Sequence, residues 1–154
     1  MESAEGAPAG CEACRRRTDG PCLYVGRGAG WFCTTVLDMH GDEERVVTAY
    51  ADWLQRNGWT VTREAGFIDI YAERRPEKLY AEAKGRTSSI GLDVDTLYGQ
   101  LLRRMNDPAI DARYAVVVPT AALQAALRVP SWVRDRLHID VYEVDDAGVV
   151  HPCD

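Results

Sequence analysis

The chain has 154 residues, of which 46% are hydrophobic and 27% charged, so it can bury the core of one ordinary domain. Its formal net charge of −6 argues against a protein that coats DNA regardless of sequence, because such binding requires clustered lysine and arginine. Residues 1–10 do not resemble a secretory signal, and no apolar run is long enough to cross a bilayer. We therefore expect a cytoplasmic protein without a membrane partner.

The N-terminal part differs in composition from the rest of the chain. Residues 1–10 are predicted to form a flexible tail, and residues 11–40 a loop-rich, cysteine-rich segment. Thiolates bind Zn²⁺ strongly, and a segment this small gains from a metal staple. The candidate ligands of a structural zinc ion are Cys11, Cys14, Cys22 and Cys33, with His40 as a substitute for one of them. The alternative is a reduced, disordered tail with incidental thiols.

The composition changes at Gly41, and residues 41–150 are predicted to form the main domain. Hydrophobic periodicity predicts helices over 42–57, 94–105, 121–127 and 131–137, and strands over 59–63, 67–73, 78–84, 113–118 and 139–144. Three successive strands favour an antiparallel meander, and the strand–helix–strand unit that follows favours a parallel addition. The predicted fold class is α/β, with a mixed sheet flanked by helices.

Two carboxylates are predicted to meet on neighbouring strands of the meander. If the turn is centred between Arg75 and Pro76, Asp69 lies opposite Glu82, with Cβ atoms about 5 Å apart. Two ionised carboxylates at that separation repel each other unless a cation lies between them, and Mg²⁺ or Mn²⁺ prefers such hard oxygen ligands. Charged residues also decorate solvated strand faces, but these two lie between apolar neighbours. The pattern therefore predicts a divalent-metal site.

Other polar residues are candidates for supporting this site. Lys84 follows Glu82 by two positions and is predicted to share its face, where an ammonium can stabilise a developing phosphate charge. Glu44 is favoured over Glu43 as an additional acid on the first helix, because it lies on the core-facing side. A basic rim for DNA phosphates is predicted from Arg86, Arg103 and Arg104.

The element order, with Asp69 on one strand and Glu82-Ala83-Lys84 on the next, resembles the PD-(D/E)xK nuclease superfamily. The resemblance covers about residues 42–144 and is closest in pattern to the Holliday junction resolvase and Mrr-like branch. It implies a restriction-endonuclease-like αβββαβ core in which Asp69 and Glu82 bind metal and Lys84 is catalytic. Glu44-Arg45 resembles the first-helix Glu-Arg of that branch, and Gln100 matches a glutamine position of related nucleases. The chain departs from the motif in one respect: Ile68 precedes Asp69, whereas the P in the motif's name denotes a proline at this position.

The expected function is that of an Mg²⁺- or Mn²⁺-dependent endonuclease that hydrolyses phosphodiester bonds in DNA, and a homodimer is compatible with the sequence. One alternative is a catalytically inactive nuclease-fold protein that binds nucleic acid. A second alternative is an interaction module stapled by zinc through the cysteine-rich segment.

Overall fold

The computed structural model describes residues 37–106 and 112–153, with side chains from Gly41 onwards. The predicted tail, the four candidate zinc cysteines and the side chain of His40 lie outside the described residues. Within the described ranges, no helix is long and apolar enough to span a membrane.

In the part of the chain that the structure describes, four helices and six strands follow one another in the order that the periodicity predicts, with one strand added at the end. They are α1 Leu37–Arg56, β1 Thr60–Ala65, β2 Ile68–Arg74, β3 Glu77–Ala83, α2 Ile90–Arg104, β4 Ala112–Pro119, α3 Thr120–Ala126, α4 Ser131–Leu137, β5 Ile139–Val144 and β6 Val150–Cys153.

The strands form one six-stranded sheet in the spatial order β1-β2-β3-β4-β5-β6. The first three strands pair antiparallel, β4 and β5 are added parallel, and β6 returns antiparallel. Sequential parallel strands need a crossover, which α2 supplies between β3 and β4. The predicted meander and parallel additions are therefore confirmed, and the chain is a mixed α/β protein.

Helices cover both faces of the sheet. On one face, α1 buries Val46, Tyr50 and Leu54 against residues of β2, β3 and β4. On the other face, α2 and α3 enclose a second core, in which Leu97 and Leu101 are fully buried. The central strand β4 is buried at seven of its eight positions because both faces are covered, as its continuous apolar sequence predicts.

The first helix begins at Leu37, five residues before the predicted start at Asp42. The predicted start was wrong, and Asp42 lies inside α1. The Asp42 carboxylate instead accepts a hydrogen bond of 2.5 Å from the backbone N–H of Arg86 and one of 3.0 Å from Arg45. Asp42 thus fastens the N-terminal half of α1 to the segment that leaves β3.

The edge strand β6 was not predicted, because Pro152 is unfavourable inside a strand. Proline is tolerated here since β6 is the last strand of the sheet. The preceding turn carries recognisable signals: the Asp145 side chain accepts hydrogen bonds from the backbone N–H groups of Ala147 and Val149, and Gly148 has a φ of +79°. A turn of this kind favours a hairpin with β5.

Candidate functional site

The register of the β2–β3 hairpin is the one expected from its turn. Ile70 pairs with Ala81 and Arg74 pairs with Glu77, so Arg75 and Pro76 form a two-residue turn. Continuing the register by one residue past Ile70 places Asp69 across from Glu82. The predicted convergence of two carboxylates on these strands is confirmed.

Each carboxylate has a different environment. Asp69 is partly buried, and its Oδ2 accepts a hydrogen bond of 2.8 Å from the backbone N–H of Ala83. Glu82 is only 3% exposed. Burial, followed by the nearby negative charge of Asp69 and a hydrogen bond with it, raises the pKa of Glu82 from 4.5 to about 7. The proximity of Asp69 therefore contributes to the raised pKa of the buried Glu82.

Arg104 of α2 is the cation beside Glu82. Its Nε lies 3.6 Å from Glu82 Oε1, which is within ion-pair distance but too long for a hydrogen bond. As far as the described residues show, both atoms are buried without a hydrogen-bond partner. A buried carboxylate oxygen without a donor is costly, and it is the kind of atom that a bound cation would satisfy.

Lys84 follows β3 and contacts α1. Its Nζ lies 3.0 Å from Glu43 Oε2. Glu44, the acid favoured from the sequence, accepts hydrogen bonds of 2.6 and 2.7 Å at its two carboxylate oxygens from Nη2 of Arg63 in β1. Glu43 is therefore the acid of α1 that contacts Lys84, whereas Glu44 contacts Arg63 of β1. Helical periodicity alone could not distinguish these neighbours, because the choice depends on where α1 meets the sheet.

Gly85 sets the distance between α1 and the end of β3. A Cβ atom at this position would lie 2.4 Å from the backbone nitrogen of Glu43 and 2.8 Å from its Cα. No side chain fits such an approach, so only glycine permits α1 to contact the strand exit here. Because α1 lies so close to the end of β3, Lys84 contacts Glu43 of α1, whereas Glu82 contacts Arg104 of α2.

A cleft of about 420 Å³ opens on the α1 side of the site. It is lined by Glu43, Glu44, Val47, Arg63, Glu64, Asp69, Lys84, Thr87 and Asp93. Acidic side chains outnumber basic ones, so the cleft attracts cations. Glu64, which lies between the paired residues Arg63 and Ala65 of β1, adopts a φ of +51°, a conformation that is unfavourable for a residue with a side chain.

The remaining predicted site residues are dispersed. Gln100 is partly buried on α2, one turn before Arg104. Arg86 forms an ion pair with Asp146 in the β5–β6 turn, whereas Arg103 is exposed on α2. Among the described residues, no group of three or more histidine, cysteine, aspartate or glutamate side chains converges to hold a metal ion. Asp69 and Glu82 are therefore the acidic pair on which a metal hypothesis rests.

The sequence matches no family model and no curated protein. Its fold is similar to an XisH family protein from Nostoc punctiforme PCC 73102, with 21% identity over 71% of this chain and 99% of that chain, and a TM-score of 0.51. It is also similar to an FdxN element excision controlling factor protein from Anabaena variabilis, with 23% identity over 71% and 95% of the two chains and a TM-score of 0.46. At these identities the likeness concerns the fold alone.

Proposed function

We propose that this protein is a divalent-metal-dependent endonuclease that hydrolyses phosphodiester bonds in DNA. The observation that carries the proposal is the meeting of Asp69 and Glu82 across β2 and β3, with Glu82 buried and, among the described residues, no donor for its Oε1. Two converging carboxylates, one of them costly to bury as an anion, favour binding of a cation between them.

The donor set fits Mg²⁺ or Mn²⁺. Both ions prefer hard oxygen ligands and bind through few protein carboxylates, with the remaining positions left to water and substrate. Asp69 and Glu82 would hold the ion, and the open cleft beside Asp69 would admit a phosphate group. When bound, the ion would supply Lewis-acid stabilisation of the charge on the phosphate oxygens.

The protein's own groups would orient and polarise the reactants. In hydrolysis, a water oxygen forms a bond to phosphorus, the ester P–O bond breaks, and the products are a phosphate monoester and an alcohol. Lys84 would place its ammonium near the developing charge, and Glu43, 3.0 Å from the Lys84 Nζ, would fix the direction of that side chain. The Ala83 backbone N–H would keep Asp69 oriented across β3.

Two further features of the protein support a nuclease function. The sequence resemblance to the PD-(D/E)xK superfamily concerns Asp69, Glu82 and Lys84. Asp69 lies across from Glu82 in the hairpin register, and Asp69 and Lys84 line the same cleft. The cleft is acidic, so a polyanion would approach it favourably only after cations had bound. Membership of that superfamily, the metal and the DNA substrate all belong to the proposal.

Purified full-length protein should be incubated with plasmid, linear and branched DNA in the presence of Mg²⁺, Mn²⁺ or EDTA. We expect cleavage only with a divalent ion, and its loss in Asp69→Ala. The matched control is Asp95→Asn, which changes an exposed carboxylate on α2 that pairs with Arg128. DNA binding without cleavage on every substrate would favour an inactive nuclease-fold protein, and metal-dependent cleavage unchanged in Asp69→Ala would exclude this site.

A further inference from the structure

Phe67 occupies the tip of the β1–β2 hairpin. Among the described residues it has the largest exposed fraction of any large hydrophobic side chain, 83%. Ala65 pairs with Ile68, so Gly66 and Phe67 form a two-residue turn. Gly66 has a φ of +73°, as expected for the first position of a tight hairpin turn with glycine there. The ring is therefore presented to solvent by a short, constrained piece of backbone.

Arg104 connects this exposed ring to the carboxylate site. Its guanidinium carbon lies 5.3 Å from the centroid of the Phe67 ring, within the range of a cation–π contact. The Nε of the same side chain lies 3.6 Å from Glu82 Oε1. Phe67 also precedes Asp69 by only two residues in the chain. The ring thus borders the carboxylate pair.

The combination of an aromatic ring and a guanidinium group distinguishes Phe67 from other exposed hydrophobic residues. Isolated exposed hydrophobic side chains are normal on protein surfaces, and Trp132 of α4, 65% exposed, is an example. Phe67 carries a guanidinium beside its ring, so one spot offers an aromatic surface and a positive charge. A nucleotide has the complementary parts, a flat base and an anionic phosphate. Bases inside a duplex are already stacked on their neighbours, so an exposed aromatic ring is expected to bind unpaired bases in preference to paired ones.

We propose that Phe67 and Arg104 form a stacking platform for an unpaired nucleobase next to the phosphodiester that Asp69 and Glu82 address. The inference rests on the proposed nuclease function and narrows its substrate to DNA that contains unpaired nucleotides, such as gapped duplexes. Phe67 supplies the stacking surface, and Arg104 supplies charge for the adjoining phosphate.

The test is DNA affinity, measured by fluorescence anisotropy with Mg²⁺ present. All measurements use the full chain with Lys84→Ala, which keeps both carboxylates and limits cleavage. The probes are a gapped duplex and a fully paired duplex of equal length. Phe67→Ala should weaken binding of the gapped duplex roughly 5- to 150-fold and that of the paired duplex less than twofold. Phe67→Trp should restore the gapped-duplex affinity, and Trp132→Ala should leave both affinities unchanged.

The outcomes separate this inference from the proposed function. If Phe67→Ala weakens both duplexes equally or neither, or if tryptophan does not rescue binding, the platform is overturned even where the wild-type protein cleaves DNA. If the wild-type protein cleaves no DNA but the selective loss at Phe67 is observed, the nuclease proposal fails and the platform stands as a binding site. Thermal unfolding of each variant checks the fold, which an 83% exposed side chain should barely affect.

Discussion

The two sides of the carboxylate pair manage charge differently. On the α1 side, Glu43 pairs with Lys84 and Glu44 with Arg63 beside an open cleft, at short distances and in contact with solvent. On the α2 side, Glu82 is buried, and Arg104 stands too far away for a hydrogen bond. Exposed ion pairs contribute little to stability, whereas a buried unsatisfied charge is costly. The difference indicates that the buried Glu82 carboxylate is only weakly compensated by Arg104 on the α2 side. On the α1 side, the cleft leaves the carboxylate pair accessible to ions and substrate.

The largest expected effect comes from removing the charge of the buried acid. Glu82→Gln should abolish measurable Mn²⁺ binding in calorimetry and lower DNA cleavage by about 100-fold or more. In the absence of metal, the same substitution should raise the free energy of unfolding at pH 8 by roughly 1–3 kcal/mol, since the carboxylate charge is then no longer buried. Glu44→Gln, the same change at an exposed carboxylate, is the control. Loss of stability at pH 8 together with retained metal binding would contradict this account of the α2 side.

The raised pKa of Glu82 predicts two opposite dependences on pH. Its pKa rises from 4.5 to about 7 on folding, so its contribution to stability is complete below pH 4.5 and is lost as the pH rises through 7. Metal affinity should move the other way, increasing about tenfold per pH unit up to 7 and then levelling off, because the ligand must be deprotonated. Denaturant unfolding and metal titration between pH 5 and 8 would measure both. The stability slope should shrink in Glu82→Gln, and any slope that persists there would have to come from other groups.

Gly85→Ala tests whether α1 needs its close approach to the strand exit. The added methyl would overlap the backbone of Glu43, and we expect a loss of about 1–3 kcal/mol in the free energy of unfolding. Gly99→Ala within α2 is the matched control, because among the described residues its Cβ would meet only Arg103, at 3.7 Å. The control should gain about 0.5–1 kcal/mol from helix propensity. Equal effects of both substitutions in urea denaturation would show that the contact with α1 is not specific.

The smallest expected effect distinguishes the two adjacent glutamates of α1. Glu43→Gln releases Lys84, so it should lower the rate of DNA cleavage about two- to fivefold, the size of effect typical of a partly exposed ion pair. Glu44→Gln frees Arg63 and should leave the rate within error. Single-turnover cleavage rates with excess enzyme would compare them. A larger loss for Glu44→Gln would restore the assignment favoured by the sequence pattern.

Contacts within a hairpin were predictable, and contacts between layers were not. The Arg75–Pro76 turn determines that Asp69 and Glu82 meet, because register follows from the position of a turn. The apolar run of β4 likewise determines its central place. The pairing of Glu82 with Arg104 and of Lys84 with Glu43 depends on where α2 and α1 lie over the sheet. Periodicity indicates the buried face of a helix, but not how far the helix is shifted along the strands.

The β5–β6 turn has a practical consequence for protein engineering. Its Asp145-Asp146-Ala147-Gly148 sequence looks like a neutral place for a label, an inserted domain or a protease site. However, the carbonyl oxygen of Asp145 accepts a hydrogen bond of 2.8 Å from Arg45 of α1, and Asp146 pairs with Arg86. An insertion there would pull on α1 and on the segment leaving β3, two residues from Lys84. A tag inserted in this turn would therefore disturb the positions of α1 and Lys84, although the turn itself lies outside the carboxylate site.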